Sequence, residues 1–367
     1  MMLEAAELAA FLSDDWRRQP RLFSQAVKVT SYAVTPASLC RLTEAEFVES
    51  RLITADFEVV HGPFDFTEEP GEPLLDAGEM LMVQCLEQHL PQVSAMIDEA
   101  FAFLPRWQID DVMASFGYDG ANCGAHFDQY DVFLVQLAGE KTWHLDESQH
   151  QESELDVSAD LRLLAAFSPS RTLTARPGDV LYIPPGVGHH GICSGESLTL
   201  SVGIRNPTTA EMLAELSEFA LEVSASMPLE SRLHAVSSGL PREAGIEIAA
   251  TVSELLSPDL VNRWYGCYVT RLRDPEVLAP GHPPASLRGQ SVTASLATRL
   301  SWQQVQGRGQ PVMLFVNGDC YDLAADHLSW IEVLCQQRCV SLPENLTDDA
   351  ESVLASLVAA GALQSEA

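Results

Sequence analysis

The sequence predicts a mixed α and β chain. A small antiparallel β barrel with helices before it is followed by a helical region and then a compact α+β segment. Three observations carry this prediction. Between about residues 110 and 206 the hydrophobic period falls to two, in short runs separated by turn residues. On both sides of that stretch the apolar residues recur at helical spacing. A segment rich in proline and glycine, "RDPEVLAPGHPPASLRG", precedes the last part of the chain. The expected domains are 1–206, 207–273 and 274–367.

The N-terminal stretch reads as helical. "LEAAELAAFLSDDW" has helical spacing, and "TEAEFVESRL" opens with Thr43 and Glu46 placed as a capping box. After the broken segment "HGPFDFTEEPGEP", the stretch "EMLMVQCLEQHLPQVSAMIDEAFAFL" predicts a long helix interrupted at Pro91. The β-rich region contains "DVMASFGY", "AHFDQYDVFLVQL", "KTWHL", "RTLTAR", "DVLYIPP", "HGICS" and "SLTLSVGI", with "SADLRLLAAF" as a helical insert. Such spacing argues for a sandwich or small barrel. Beyond Pro207, Met212, Leu213, Leu216, Phe219, Ala220 and Val223 form a helical stripe. The final segment mixes strands ("LATRLSWQQV", "PVMLFVNGDCYDL") with helices ("HLSWIEVLCQQ", "TDDAESVLASLVAAGAL"), an order that suits a winged-helix-like domain.

Charge narrows the function. The net charge is −31, which repels nucleic acid and anionic membranes and attracts cationic partners. From 276 onward there are four Arg, no Lys and ten acidic residues, whereas a DNA-reading winged helix should be basic. No direct DNA binding is expected. The acidic start lacks the basic region of a signal peptide, and no apolar run approaches the roughly 18 residues of a membrane span. Eight cysteines without a CxxC pair read as thiols in a reducing compartment, so the expected location is cytoplasmic.

The chemistry is concentrated in two places. In "HFD", His126 and Asp128 are two apart on an expected strand and so share a face. One further histidine would complete two His and one carboxylate, the set that leaves open positions on Fe(II) in non-haem oxygenases. "GDVLYIPPGVGH" supplies it: Gly178, Pro184, Gly186 and His189 have the spacing of the second motif of cupin-type barrels, and Gly120 precedes His126 as in the first. In "GVGHHG" strand alternation gives only one of the twin histidines to the metal. The motif spacing selects His189, which leaves His190 facing the other side. A 2-oxoacid that chelates the iron needs a cation for its far carboxylate. Lys141 is the candidate, expected across a turn at "LAGE" and on one face with Trp143 and Leu145.

"HFDQYDVFLVQLAGEKTW", "GDVLYIPPGVGHHG" and "SVGIR" resemble the JmjC-type 2-oxoglutarate oxygenases, and among them the ribosomal oxygenases of the cupin-4 family. The entry segment "FLSDDWRRQPRLFSQA" is similar to that family's as well. The resemblance implies a JmjC/cupin double-stranded β-helix, a helical dimerisation region and a winged-helix-like tail. It implies Fe(II), 2-oxoglutarate and O2, with iron on His126, Asp128 and His189. Lys141 falls on the co-substrate carboxylate partner, where close bacterial relatives often carry Arg. Ser115 and Ser201 fall where co-substrate hydroxyl contacts are plausible, and Asp119 falls where relatives place an acid near a target guanidinium. The implied activity is hydroxylation of an arginine side chain in a basic ribosomal protein, the sixteenth of the large subunit, by a homodimer. The same site chemistry would also serve a ribosomal histidine hydroxylase or a demethylase. A non-catalytic cupin sensor that regulates transcription is the reading from another class. The aspartate of "HFD" and the acidic tail argue against it.

Overall fold

The change of period at residue 110 sets the architecture in the computed structural model, which describes residues 2–66, 75–156, 161–205, 207–223, 242–304 and 310–365. Two compact units result. One is Met1–Asn206 with Arg273–Pro280 and Ser295–Thr298, and the other is Pro207–Leu272 with Gly281–Ala294 and Arg299–Ala367. The helices after 207 and the C-terminal segment thus form one unit rather than two, and the Pro/Gly-rich linker is divided between the units. Arg273 explains part of that division. Its guanidinium lies 2.8 Å from Asp110 and 3.8 Å from Asp111, which ties the segment to the first unit.

The first unit runs α1 (Ala5–Asp14), β1 (Arg21–Phe23), α2 (Pro36–Thr43), β2 (Ser50–Ile53), β3 (Val59–His61), β4 (Met80–Val83), α3 (Leu86–His89), α4 (Pro91–Ala100) and β5 (Ile109–Gly117). It continues with β6 (Val132–Gln149), β7 (Leu155–Asp156), β8 (Leu163–Leu164), β9 (Arg171–Ala175), β10 (Val180–Ile183) and β11 (Val187–Ile204). One nine-stranded sheet takes the order β1-β10-β6-β11-β5-β4-β2-β3, with β9 also on β6. Its pairings are antiparallel. This is the JmjC/cupin β fold. β6 and β11 are each 18 residues long and pair along most of their length.

Several local expectations are corrected. "LAGE" is no turn between two strands but a bend inside β6. Gly139 takes φ +63, and a Cβ there would lie 1.7 Å from the Glu196 carbonyl oxygen, so only glycine allows the two long strands to bend together. The capping box sits at Thr35 and Ser38, with Pro36 opening α2; Thr43 ends that helix, its hydroxyl donating to the Cys40 carbonyl at 2.8 Å. The chain from Ser50 is therefore strand, not helix. Met80–Val83 is also strand. It is apolar and buried throughout because Leu81 and Val83 pack into one core cluster and Met80 and Met82 into another, and so short an apolar run carries no period to separate strand from helix. Of the expected helical insert, residues 161–167 hold β8 instead, and 158–160 lie outside the described residues.

The entry segment packs through aromatics. Phe11 is fully buried, edge-on to Trp16, Phe23, Phe133 and Tyr182. Trp16 stacks on Tyr182 at 5.4 Å. The Tyr182 hydroxyl donates to buried Asp131 at 2.5 Å and accepts from the Arg17 backbone N–H at 2.7 Å. The N-terminal segment is thus fastened to the strand that follows the metal motif.

The second unit contains α5 (Thr209–Val223), α6 (Arg242–Leu255), α7 (Pro258–Thr270), β12 (Ser291–Ala294), β13 (Leu300–Gln304), β14 (Val312–Val316), β15 (Asp319–Leu323), α8 (Leu328–Gln337), β16 (Cys339–Ser341), α9 (Asp348–Ala359) and β17 (Leu363–Ser365). The meander β13-β14-β15 turns at Asn317 and Gly318, both with positive φ, as a tight hairpin requires. Val292, Leu314, Trp330, Ile331 and Leu354 are among the core residues. No helix among the described residues is long and apolar enough to cross a membrane.

Phe11→Ala is expected to remove about 3–5 kcal/mol of stability, measured by denaturant unfolding. A loss under about 1 kcal/mol would mean that the aromatic cluster does not anchor the N-terminal segment.

Candidate metal centre

The approach to the site is irregular backbone. His126 is not in a regular strand but forms an isolated antiparallel bridge with His189 of β11. The His126 N–H donates to the His189 carbonyl at 3.1 Å, and the His189 N–H donates to the His126 carbonyl at 2.8 Å. This one bridge brings the two motifs together and sets the imidazoles 4.3 Å apart, centroid to centroid. Asp128 follows two residues later, its Oδ2 3.6 Å from His189 Nε2. The Gly186 N–H donates to the Asp128 carbonyl at 2.8 Å, tying the "PPG" turn to the same segment.

The donor set fits a metal ion. One ligand atom from each of His126, Asp128 and His189 lies within 4.8 Å of the others. His126 Nδ1 is 3.0 Å from the Gly124 carbonyl, and His189 Nδ1 is 3.1 Å from that of Val187. A carbonyl can only accept, so each Nδ1 carries the proton and each Nε2 keeps its lone pair for a ligand. Burial first, and then the neighbouring His126, pushes the His189 imidazole down to about 4, so it stays neutral, the form that binds metal.

Lys141 is 2% exposed, although it belongs to β6 itself and not to a following strand. It shares the inward face with Trp143 and Leu145, as the alternation predicts. Its Nζ donates to Ser115 Oγ at 3.2 Å and lies 5.1 Å from the Trp143 ring centroid. Neither contact carries negative charge. Ser201 is half-buried on the same sheet face, opposite Met113, two positions along from the Ser115–Thr199 pair. Asp119 lies in the exposed loop after β5, its Oδ1 accepting from the Gly195 N–H at 3.0 Å. His190 is half-buried, with Nε2 3.0 Å from Asn122 Oδ1.

Two residues near the site had no signal in the sequence. Tyr130 is 41% exposed, and the Asp128 carboxylate above all holds its phenol protonated, far above the ordinary range. Arg51 shares the sheet face of Ser115 through Met82, and its Nη2 lies 4.0 Å from Met113 Sδ. Arginine on a short strand reads as surface until the pairing register is known.

Two family models match the chain: JmjC domain over residues 96–212 and ROXA-like winged helix over 248–364. The Escherichia coli "Ribosomal protein uL16 3-hydroxylase" is 28% identical over 96% of this chain and 95% of its own. A "Probable ribosomal oxygenase" of Haemophilus influenzae is 30% identical over 57% of this chain and 52% of its own. The structure of YcfD, a ribosomal oxygenase from Escherichia coli, superposes with a TM-score of 0.76 at 25% identity over 98% of both chains. YcfD in complex with cobalt and 2-oxoglutarate superposes at 0.78 with 24% identity, also over 98% of both chains. With the His-Asp-His set and the buried lysine in place, the chain carries a JmjC domain whose donor set fits Fe(II) and 2-oxoglutarate chemistry, together with a ROXA-like winged helix.

Proposed function

We propose that this oxygenase hydroxylates an arginine side chain of the sixteenth large-subunit ribosomal protein, in the cytoplasm. The observation that carries the proposal is similarity across nearly the whole chain to a relative named as the hydroxylase of that protein. The net charge of −31 suits a strongly basic substrate.

His126, Asp128 and His189 would hold the iron on one side and leave positions open. When bound, the iron with 2-oxoglutarate and O2 supplies the oxidant that inserts a hydroxyl into a C–H bond. Lys141 holds the distal carboxylate of 2-oxoglutarate. A buried ammonium needs an anion, and a dicarboxylic co-substrate brings one to the only kind of place where it is needed. Ser115 steadies the ammonium beside that carboxylate, and Ser201 offers a further hydroxyl on the same face. The planar guanidinium of the substrate matches a carboxylate fork, the role given to Asp119. Asp119 Oδ1 is already engaged by the Gly195 N–H, so loop and substrate would be ordered together.

We further propose a homodimer built on the helical region. α5 and α6 leave Leu213, Leu221, Val223, Ile246, Val252 and Leu255 exposed, a concentration of large apolar side chains of the kind that a partner surface covers.

Four outcomes test these proposals. Purified ribosomal proteins incubated with enzyme, Fe(II) and 2-oxoglutarate should gain the mass of one oxygen on an arginine of the sixteenth large-subunit protein; oxygen on a histidine, or on no ribosomal protein, removes the substrate assignment. Lys141→Ala should weaken 2-oxoglutarate binding by about 30-fold, since loss of one partner of a buried charge pair costs about 2 kcal/mol or more. His189→Ala should abolish 2-oxoglutarate turnover at any iron concentration. For the dimer, Leu221→Asp combined with Ile246→Asp should give a monomer in light scattering, and an unchanged mass would discard this interface.

A further inference from the structure

The second of the twin histidines has a definite place in a hydrogen-bonded chain. His190 Nε2 lies 3.0 Å from Asn122 Oδ1. That oxygen also accepts from the Gly124 N–H at 3.0 Å, while Asn122 Nδ2 donates to the Gly120 carbonyl at 3.0 Å. The two outer bonds fix which end of the amide is oxygen, so His190 Nε2 is the donor. Gly124 then presents its own carbonyl to His126 Nδ1 at 3.0 Å. Gly124 is buried with φ +79, a left-handed conformation that glycine takes without strain, and a Cβ there would lie 2.7 Å from the Leu163 side chain.

From these contacts we infer that His190 is a positioning residue for the metal. It acts on the ligand His126, not on its neighbour His189. The chain runs from the His190 N–H to the Asn122 oxygen, through the backbone of Gly124, to the proton on His126 Nδ1. It fixes the rotation of the His126 ring and the tautomer that frees Nε2. The adjacent His189 is itself a ligand, oriented separately by the Val187 carbonyl. One dipeptide of β11 thus serves both imidazoles of the site, one directly and the other across an irregular loop. Aromatic neighbours hold the His190 ring in place: Phe167 lies edge-on at 6.2 Å and His144 at 6.3 Å.

The inference rests on the His-Asp-His set being a metal site, and the test separates the two. Co(II) is titrated into the full-length protein, and uptake is read from the ligand-field absorption of bound Co(II). Loss of a partner behind a ligating histidine costs about 10- to 100-fold in affinity. His190→Ala should therefore raise the Co(II) midpoint about tenfold or more, and Asn122→Ala should do the same. Because both act on one chain, the double variant should be no weaker than the weaker single variant. His190→Gln, whose amide N–H reaches the place of Nε2, should restore most of the affinity. The iron concentration for half-maximal turnover should rise in His190→Ala by a larger factor than maximal turnover falls. An unchanged Co(II) midpoint in His190→Ala, multiplicative losses in the double variant, or a Gln variant as weak as Ala would each overturn the relay while leaving the metal site standing. A wild-type protein that takes up no Co(II) overturns both. The Gln and Asn122 variants keep the test decisive if His190→Ala does not fold.

Discussion

The site depends on one pair of backbone hydrogen bonds. The bridge between His126 and His189 joins an irregular segment to the start of β11. Without it, the two motifs would be a loop and a strand 63 positions apart in sequence. With it, each histidine lies where the other's backbone holds it, and Asp128 follows two residues later in the same irregular segment, its carbonyl held by the Gly186 N–H. The bridge has no side-chain requirement of its own. It needs the loop from Gly120 to Asp131 to follow a fixed path, and most of the polar contacts around the site serve that path. Gly120 N–H donates to the Cys193 carbonyl, Asn122 spans Gly120 and Gly124, and Gly186 N–H holds the Asp128 carbonyl.

Behind the metal ligands the same segment is tied to the core. Asp128 turns toward the site, Tyr130 toward solvent, and Asp131 into the interior, where Tyr182 and Arg17 meet it. Burial pushes the Asp131 carboxyl up, with the Tyr182 hydroxyl opposing that shift. A buried carboxylate left without that hydroxyl would be costly, so Tyr182 and the aromatic cluster around it set the far end of the loop. The entry helix α1 therefore bears on the chemistry. Phe11 packs on Tyr182, Tyr182 holds Asp131, and Asp131 is three residues from Asp128 of the His-Asp-His set. Lys141 is the complementary case. It is buried with a hydroxyl and an indole as its neighbours, and neither carries the negative charge that a buried ammonium needs.

Much of this was legible in the sequence, for physical reasons that can be traced. Between 109 and 204 period two survives where burial alternates, as at Lys141–Leu145 of β6, and α1, α8 and α9 were legible because a helix packing one face keeps period 3.6. His189 could be separated from His190 because alternation and the motif's glycines fix a register. The failures have causes as well. β4 is buried on both sides, so its run carried no period. The Thr43 capping pattern lost to Thr35, which has Pro36 behind it to open the helix. "LAGE" looked like a turn because glycine marks turns, whereas here it removes a Cβ from a crowded bend. Ser115 was found beside Lys141 and Ser201 on its sheet face, but Arg51 was not, since only the register through Met82 aligns it with Ser115.

The role of Asn122 was beyond any pattern, and that is instructive about His190. Period arguments assign a side chain to a face and stop there. A residue assigned to the outer face then reads as packing. In an irregular segment the outer face is not empty: the loop carries backbone donors and acceptors that no ladder satisfies, and side chains must complete them. Asn122 does so for Gly120 and Gly124, and His190 completes Asn122. A ligand placed on a loop can be as well oriented as one on a strand, provided that its hydrogen bonds close on a rigid element. Here they close on β11, the same strand that supplies the other histidine. The loop-borne and strand-borne ligands are thereby referred to one frame, and the distance between them is set by a single strand rather than by two independent segments.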